Sequence, residues 1–516
     1  MGKRIPNYFN LLVVIYVALG STACSYGMAI IGSTVGQPTF YTSLNMAPPG
    51  TPGYDKTANL LSAYNGVNAA GSIFGAAFTA WFAQWAGRKR NIQLGAVIVT
   101  IGGALCAGSV DVAMFIVSRF IAGFGIGMLI TAIPMYQSEV STPESRGFMT
   151  CMHGIMFAVG YSLAAWIGFA CYFSSPTSSF GWRFPVAFQC APALLLLAGS
   201  YILPFSPRWL LQQDRQEEAF AVLKRLHVSK EDPDGKEASR EFFQMRKQLE
   251  LDRRIKAKPG AFDVFKTPAN RKRALFAFTL MFGFEFTGIL VITNYGVLLY
   301  EEIGLGDYMP LLLSAIYVTV TFPGNVFTAL YVDKIGRRKI ILFGLAGCII
   351  CNIFECALQA QYLGTNNKSG LDAAIFFIFF FVIFWSSCLD ATQYLYVSEI
   401  FPNQIRSQGS AVGLIGLYCG SIVVLVAGPI ALNVISWKFF IVLIIPPAFL
   451  WFIVFFFYPE TKQRSLEDLG EAFGDKVAVH YFNATEEEEA QYAAEEMLRK
   501  QGYTTENIED IASEEK

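Results

Sequence analysis

Along this chain apolar residues do not alternate with polar ones; they gather into long runs separated by short polar connections. Twelve runs reach about 20 residues, the length a helix needs to cross the hydrocarbon core of a bilayer. They begin near Phe9, Leu60, Asn91, Val112, Gly147, Phe184, Ala274, Met309, Ile340, Ala373, Gln408 and Val434. Hydrocarbon offers no partner to an unpaired peptide group, and no run shows the two-residue alternation of a barrel strand, so each is predicted to be a helix. The expected fold class is an all-α membrane protein with 12 transmembrane helices. Between residues 206 and 273 charges mix with Phe220, Val222, Leu223 and Leu226, which predicts short amphipathic helices on the membrane surface. After residue 459 the chain turns acidic, with Glu486 to Glu489, Glu495, Glu496, Glu509, Asp510, Glu514 and Glu515, and reads as a solvated, partly helical or disordered tail. The predicted units are residues 1–205 with six spans, a helical linker at 206–273, residues 274–458 with six more spans, and the tail at 459–516.

Composition removes the soluble alternative. Of 516 residues, 53% are hydrophobic and 15% charged, against about 25% charged in soluble domains. A net charge of −1 suggests no nucleic-acid partner. The placement of the basic residues is more telling. With the N-terminus cytoplasmic, 34 of the 39 face the cytoplasm, only Lys56, Arg183, Lys368 and Lys438 face outward, and Arg119 lies within a span. The positive-inside rule therefore puts both termini in the cytoplasm, and a plasma-membrane location is expected. The first run exceeds 20 residues without a small-residue cleavage site and reads as a retained helix. Asn367-Lys368-Ser369 is a glycosylation sequon on a predicted outer loop, whereas Asn483-Ala484-Thr485 falls in the cytoplasmic tail. The ten cysteines fall almost entirely inside spans and form no disulfide framework; Cys348 and Cys351 sit in an apolar helix, where packing explains them. No metal cluster, nucleophile triad or phosphate loop is present, so neither a cofactor, a metal nor an enzymatic activity is expected.

The chain also repeats itself. Gly87-Arg88-Lys89-Arg90 after the second span recurs as Gly336-Arg337-Arg338-Lys339 after the eighth. Tyr136-Gln137-Ser138-Glu139, with Arg146 seven residues beyond the acid, recurs as Tyr396-Val397-Ser398-Glu399 with Arg406. Pro204-Phe205-Ser206-Pro207-Arg208 is echoed by Pro459-Glu460-Thr461-Lys462. The offsets of 249, 260 and 255 residues mean that six spans are duplicated as a unit. Duplicated six-helix halves with a midplane site between them are a transporter architecture. Every paired motif falls at a cytoplasmic helix end, where a guanidinium can pair with Glu139 or Glu399 and cap helix carbonyls. Arg88, Glu139, Arg146, Asp333, Arg337, Glu399 and Arg406 are thus gating candidates. Topology alone could place basic residues there, but it explains neither the spacing of seven nor its repetition.

With these motifs the chain, over roughly residues 9 to 470, resembles the sugar porter family of the major facilitator superfamily, in the style of its fungal members. The residues carrying the resemblance are Arg119-Phe120-Ile121-Ala122-Gly123, Pro134-Met135-Tyr136, Ser138-Glu139-Val140, Arg146-Gly147, Pro204 to Arg208, Asp333 to Arg338, Ser398 to Pro402 and Pro459 to Thr461. The resemblance implies two six-helix bundles, a cytoplasmic helical linker and alternating access, and the chain is expected to work as a monomer. Gln84 stands where an Asp matching Asp333 is expected, which should weaken the first inner latch.

Charge within a span is costly and so marks candidates for function. Glu285 and Asp390 reach similar depth, about 16 and 13 Å from the cytoplasmic ends of their runs at helical rise; they could bind a polyol or a cation or take up a proton, or be satisfied by neighbouring hydroxyls and backbone. Arg119 needs an acceptor; proton-coupled relatives supply an Asp in span one, at a position read here as Ala29. His153 could contact solute, relay a proton or simply pack. Glu355 lies on a helix the resemblance makes peripheral, where structural pairing is expected. The resemblance also places a hexose site, where amides are replaced by Gly154, Phe284, Glu285, Leu290 and Thr321 and a Trp by Tyr394, while Asn294 and Tyr295 keep polar and aromatic character. Sugars rely on amide hydrogen bonds and stacking, so these departures should cost hexose affinity. The expected function is a secondary active or facilitative transporter of a sugar or sugar-like polar solute, with H+ a possible co-substrate. Export of a fungal secondary metabolite is the alternative, and a non-transporting nutrient receptor a more distant one.

Overall fold

The computed structural model describes residues 7–48, 51–142, 144–174, 178–228, 232, 235–255, 260, 262–302, 306, 308–362, 365, 367–462, 469 and 473–474. The acidic tail and its sequon at Asn483 lie outside the described residues. Eleven helices are long and apolar enough to cross a membrane: Tyr8–Val35, Arg88–Ala107, Val112–Val140, Arg146–Tyr172, Phe180–Ile202, Pro268–Val297, Met309–Ile335, Arg337–Tyr362, Ser369–Glu399, Asn403–Gly428 and Phe439–Phe457. A further helix, Tyr54–Trp85, takes the second place in this series. At 32 residues it is about 48 Å long, and it is less apolar because Ser62, Asn65, Asn68, Ser72 and Thr79 form a polar face turned into the protein. In chain order these are spans one to twelve. Their ends match the expected runs to within a few residues; the last begins at Phe439, five residues past the expected Val434, because the helix of span eleven continues to Ile435.

The halves are built by close backbone contact. In spans two and four, Gly71 and Gly75 lie against the carbonyls of Phe120 and Phe124, and Gly123 and Gly127 against those of Asn68 and Ser72. Two small-xxx-small stripes therefore interleave, and Ser72 fixes the crossing by donating to the Gly123 carbonyl at 2.9 Å. The halves meet along two seams, span two against span eleven and span five against span eight. Duplication of a six-span unit accounts for this pairing, since exchanging the halves converts one seam into the other.

Residues 207–255 form three helices, Pro207–Gln212, Gln216–His227 and Lys236–Ile255. Trp209, Leu211, Leu223 and Phe242 give them a small core. His227 ties this unit to span four through the Val140 carbonyl, and Asn7 ties it to span one through the Arg225 and Val228 carbonyls. It sits against the helix ends that carry the basic motifs, which we call the basic face.

A Cβ on Gly127 would sit 2.1 Å from the Ser72 carbonyl oxygen. Gly127→Val should therefore lower the unfolding temperature of the detergent-purified protein, by the ~1–3 kcal/mol of an overpacked site. Gly428→Ala, whose Cβ would meet nothing closer than 3.6 Å, should leave it unchanged.

Candidate functional site

The three repeated motifs assemble into one unit in each half. Gly87 and Gly336 have φ of +88° and +103°, a region glycine enters without steric cost, and their turns place Arg88 and Arg337 at the first positions of spans three and nine. Arg88 donates to Glu139 Oε1 from Nε and Nη2 at 3.2 and 2.9 Å, and to the Ala83 carbonyl from Nη1 at 3.3 Å. Arg337 forms a bidentate pair with Glu399, Nε to Oε2 at 3.1 Å and Nη2 to Oε1 at 2.8 Å, and Nη1 meets Asp333 at 2.9 Å. The third motif completes each unit with a hydroxyl: Ser206 donates to Glu139 at 2.5 Å and Thr461 to Glu399 at 2.7 Å. Both glutamates and their arginines are buried.

These units also hold the halves together. Arg406 of the C-terminal half reaches Glu139 Oε1 at 3.3 Å, so one carboxylate serves guanidinium groups from both halves. Asp333 accepts from the Phe148 amide at 2.8 Å, with Gly147 pressed against the same carboxylate. Ser407 donates to the Ala80 carbonyl at 3.0 Å. Arg146 is buried at the start of span five. Gln84 donates from Nε2 to the Gln404 carbonyl at 2.9 Å. The amide thus reverses the direction of donation relative to Asp333 and keeps a bond across the seam.

On the opposite side the halves also touch. Span seven breaks after Glu285, and its second segment, from Ile289, lies against span one, where Gly32 abuts the Thr293 carbonyl. Tyr295 accepts from Asn65 of span two at 3.3 Å and donates to the Leu425 carbonyl at 2.8 Å. Asn294 donates to the Leu290 carbonyl, leaving its buried Oδ1 without a partner.

Between these two layers lies the candidate site. Glu285, at the break in span seven, accepts from Ser421 of span eleven at 3.2 Å. Asp390 follows a π-helical turn, Trp385–Leu389, in span ten and accepts from Asn325 of span eight at 2.8 Å. Thr328 braces that turn by donating to the Ser387 and Ser386 carbonyls at 2.6 and 3.2 Å, as expected where an extra residue loosens the helical ladder. Glu285 and Asp390 are both buried, as is Tyr394 four residues beyond Asp390 in span ten. From the N-terminal half, His153 stacks edge-on to Tyr394 with centroids 4.6 Å apart, pairs through Nδ1 with Ser21 at 2.7 Å, and has a buried Nε2 with no partner among the described residues.

The other expected residues have the following surroundings. Phe284 is fully buried and packs edge-on against Trp385. Gly154 admits Ala391 and the Asn325 side chain, each 2.5 Å from where its Cβ would be. Thr321 donates within its own helix to Val318. Arg119 meets Gly27, donating to its carbonyl at 2.7 Å, while its Nε and Nη2 have no partner among the described residues. The contact is with the backbone of span one, two residues before Ala29. Glu355 accepts from Gln359 at 2.8 Å. Asn367 is exposed and caps the helix of span ten. Ser21, Tyr161, Asn325 and Ser421 escaped sequence reasoning because single hydroxyls and amides in apolar runs are common and carry no spacing signal.

The family model of the Sugar (and other) transporter matches residues 13–473, and the chain belongs to that family. It is 30% identical over 436 residues to the MFS-type transporter criB of Aspergillus cristatus, covering 84% of this chain and 88% of the relative. It is 29% identical to the Sugar transporter STL1 of Saccharomyces cerevisiae, covering 77% and 70%. Among solved structures, the proton:xylose symporter XylE bound to 6-bromo-6-deoxy-D-glucose superimposes with a TM-score of 0.78 at 22% identity, over 90% of this chain and 100% of that one. The fold is that of the major facilitator superfamily, and the protein is a multi-pass membrane transporter.

Glu139→Gln would leave two buried guanidinium groups without their shared anion, a change that costs about 3–5 kcal/mol when a buried pair is broken. The basic-face seam should then open more often. A cysteine at Ser407, buried at that seam, should react with a membrane-impermeant maleimide at least about tenfold faster in Glu139→Gln than in the otherwise native protein.

Proposed function

We propose that this transporter moves a small polyhydroxylated solute, a sugar or polyol, by alternating access, with the basic face cytoplasmic, and that Glu285 and Asp390 bind the solute and carry the coupling proton. The observation that supports this most is the state of the two acids. Both are buried between two closed faces, and each accepts a single hydrogen bond from a neutral donor, Ser421 or Asn325. A buried carboxylate that accepts from a single neutral donor is costly to keep charged without a compensating cation. A proton meets that need in the empty site. Solute hydroxyls can then donate to the remaining carboxyl oxygens, while Tyr161, Tyr394 and Phe157 offer ring faces to the C–H side of the solute.

The relatives' names point the same way, toward sugar transport by the yeast protein and proton:xylose symport by XylE. Arg119, facing Gly27, has no span-one carboxylate to work with, so the proton is assigned to the C-terminal half. A second reading, export of a fungal metabolite, draws on the amide-poor, aromatic lining around His153, Phe157, Tyr161 and Tyr394.

Purified protein in proteoliposomes should show saturable counterflow of at least one labelled hexose, pentose or polyol, with accumulation driven by an inward proton gradient. No counterflow of any of these, with saturable movement of aromatic metabolites, would establish the second reading. Asp390→Asn and Glu285→Gln should each raise KM by about 10- to 100-fold, the range of a lost charge-assisted hydrogen bond. At least one should retain counterflow while losing gradient-driven accumulation. Accumulation retained by both variants would remove the acids from coupling.

A further inference from the structure

The seam between spans five and eight carries a groove that the transport site does not use. Its volume is about 620 Å3, and its walls are Val159, Leu163 and Trp166 of span five and Ile316, Phe322 and Pro323 of span eight. Leu163, Trp166, Ile316 and Phe322 are all exposed, on helices that cross the membrane, so the groove opens laterally toward lipid. It occupies the half of the bilayer farther from the basic face: Trp166 is 20 residues along span five from Arg146, or about 30 Å.

The polar atoms of the groove are already committed. Ser162 donates to the Ala158 carbonyl at 2.8 Å, Trp166 Nε1 donates to Thr319 Oγ1 at 2.9 Å, and Thr319 donates to the Ala315 carbonyl at 2.7 Å. No charged residue lines it. A ligand there gains nothing from polar groups and everything from shape, which in a bilayer is the main source of selective association. We propose that this groove seats one acyl chain of a membrane phospholipid, wedged between the two halves. One wall belongs to each half, so rocking must change the groove's width, and a chain that fits the present width favours the arrangement with the basic face closed.

The test uses full-length protein in detergent, titrated with a phosphatidylcholine bearing a photoactivatable diazirine on one acyl chain and mapped by mass spectrometry. Labelling is expected to saturate at one probe per protein, on peptides containing Leu163, Ile316 or Phe322. Val159→Phe and, separately, Ile316→Trp should each reduce it at least about fivefold, with labelling at the lipid-exposed Phe456 and Phe457 unchanged. If a variant fails to give a monodisperse preparation, the wild-type map decides alone. Labelling that does not saturate and spreads over lipid-facing helices in proportion to their exposure overturns the site. So does competition by a sterol but not by unlabelled phosphatidylcholine. A cysteine at Ser407 should become at least about threefold less reactive as the lipid saturates; an unchanged rate overturns the effect on the closed state.

Discussion

Glu139 is the charge around which the contact between the two halves is built. It is fully buried, and its two oxygens serve Arg88 and Ser206 from its own half and Arg406 from the other. A carboxylate taken out of water is tolerable only with such compensation, and removing a partner leaves an uncompensated charge behind. Within its own half Arg406 also donates to the Phe401 carbonyl and to Asn403 Oδ1, both at 3.3 Å, so Glu139 is the contact it makes across the seam. Glu399 has the same partners within its half but spends both oxygens on Arg337 and Thr461. On that side the seam is crossed instead by Asp333, which accepts the Phe148 amide. Duplication gave each half the same unit, and the two copies have divided the work between an ionic contact and a backbone contact.

This arrangement gives the middle of the protein its character. With the halves in contact on the basic face and the second segment of span seven lying against spans one and two, Glu285 and Asp390 are buried between the two layers. Both sit where helical regularity fails, Glu285 at the break in span seven and Asp390 after the π turn in span ten. Irregular backbone at this depth is tolerated where it faces protein or a cavity, and Thr328 supplies the hydroxyl that the loosened ladder needs. The acids and their supports, Asn325 and Ser421, all belong to the C-terminal half. The N-terminal half contributes His153 and ring faces. If the acids bind the solute as proposed, binding groups on one half and rings on the other would let it remain held while the halves rock.

Much of the fold was legible in the sequence, because the bilayer imposes one strong rule on span length and composition. Even the weakest span, Tyr54–Trp85, was marked by its apolar run near Leu60, although its buried Asn65, Asn68 and Ser72 dilute its hydropathy. The spacing of seven between Glu139 and Arg146, and between Glu399 and Arg406, flagged these residues, and Arg406 reaches across to the acid of the other half. Sequence spacing records neighbours along the chain, not across a seam. The site was less legible. Charge picked out Glu285 and Asp390, whereas the surroundings of Phe284, against Trp385, and of Gly154, under Ala391, follow from packing that no spacing records. The bond from Arg119 to the Gly27 carbonyl was likewise illegible, because backbone acceptors leave no mark in the sequence. Asn325, Ser421 and Ser21 had no periodicity to betray them, since their roles come from the elements they face.

The central claim is that the two faces open in alternation around a site held by the C-terminal half. The most direct test is pulsed electron resonance on reconstituted protein carrying spin labels across the basic face at the exposed Arg90 and Lys339, and in a second preparation across the opposite face at the exposed Val110 and Ser369. On addition of a transported solute or a change of pH, the two distance distributions should shift in opposite directions, with a long basic-face distance accompanying a short one on the opposite face. Distances that lengthen together, or a basic-face distance that stays single and fixed under every condition, would contradict it.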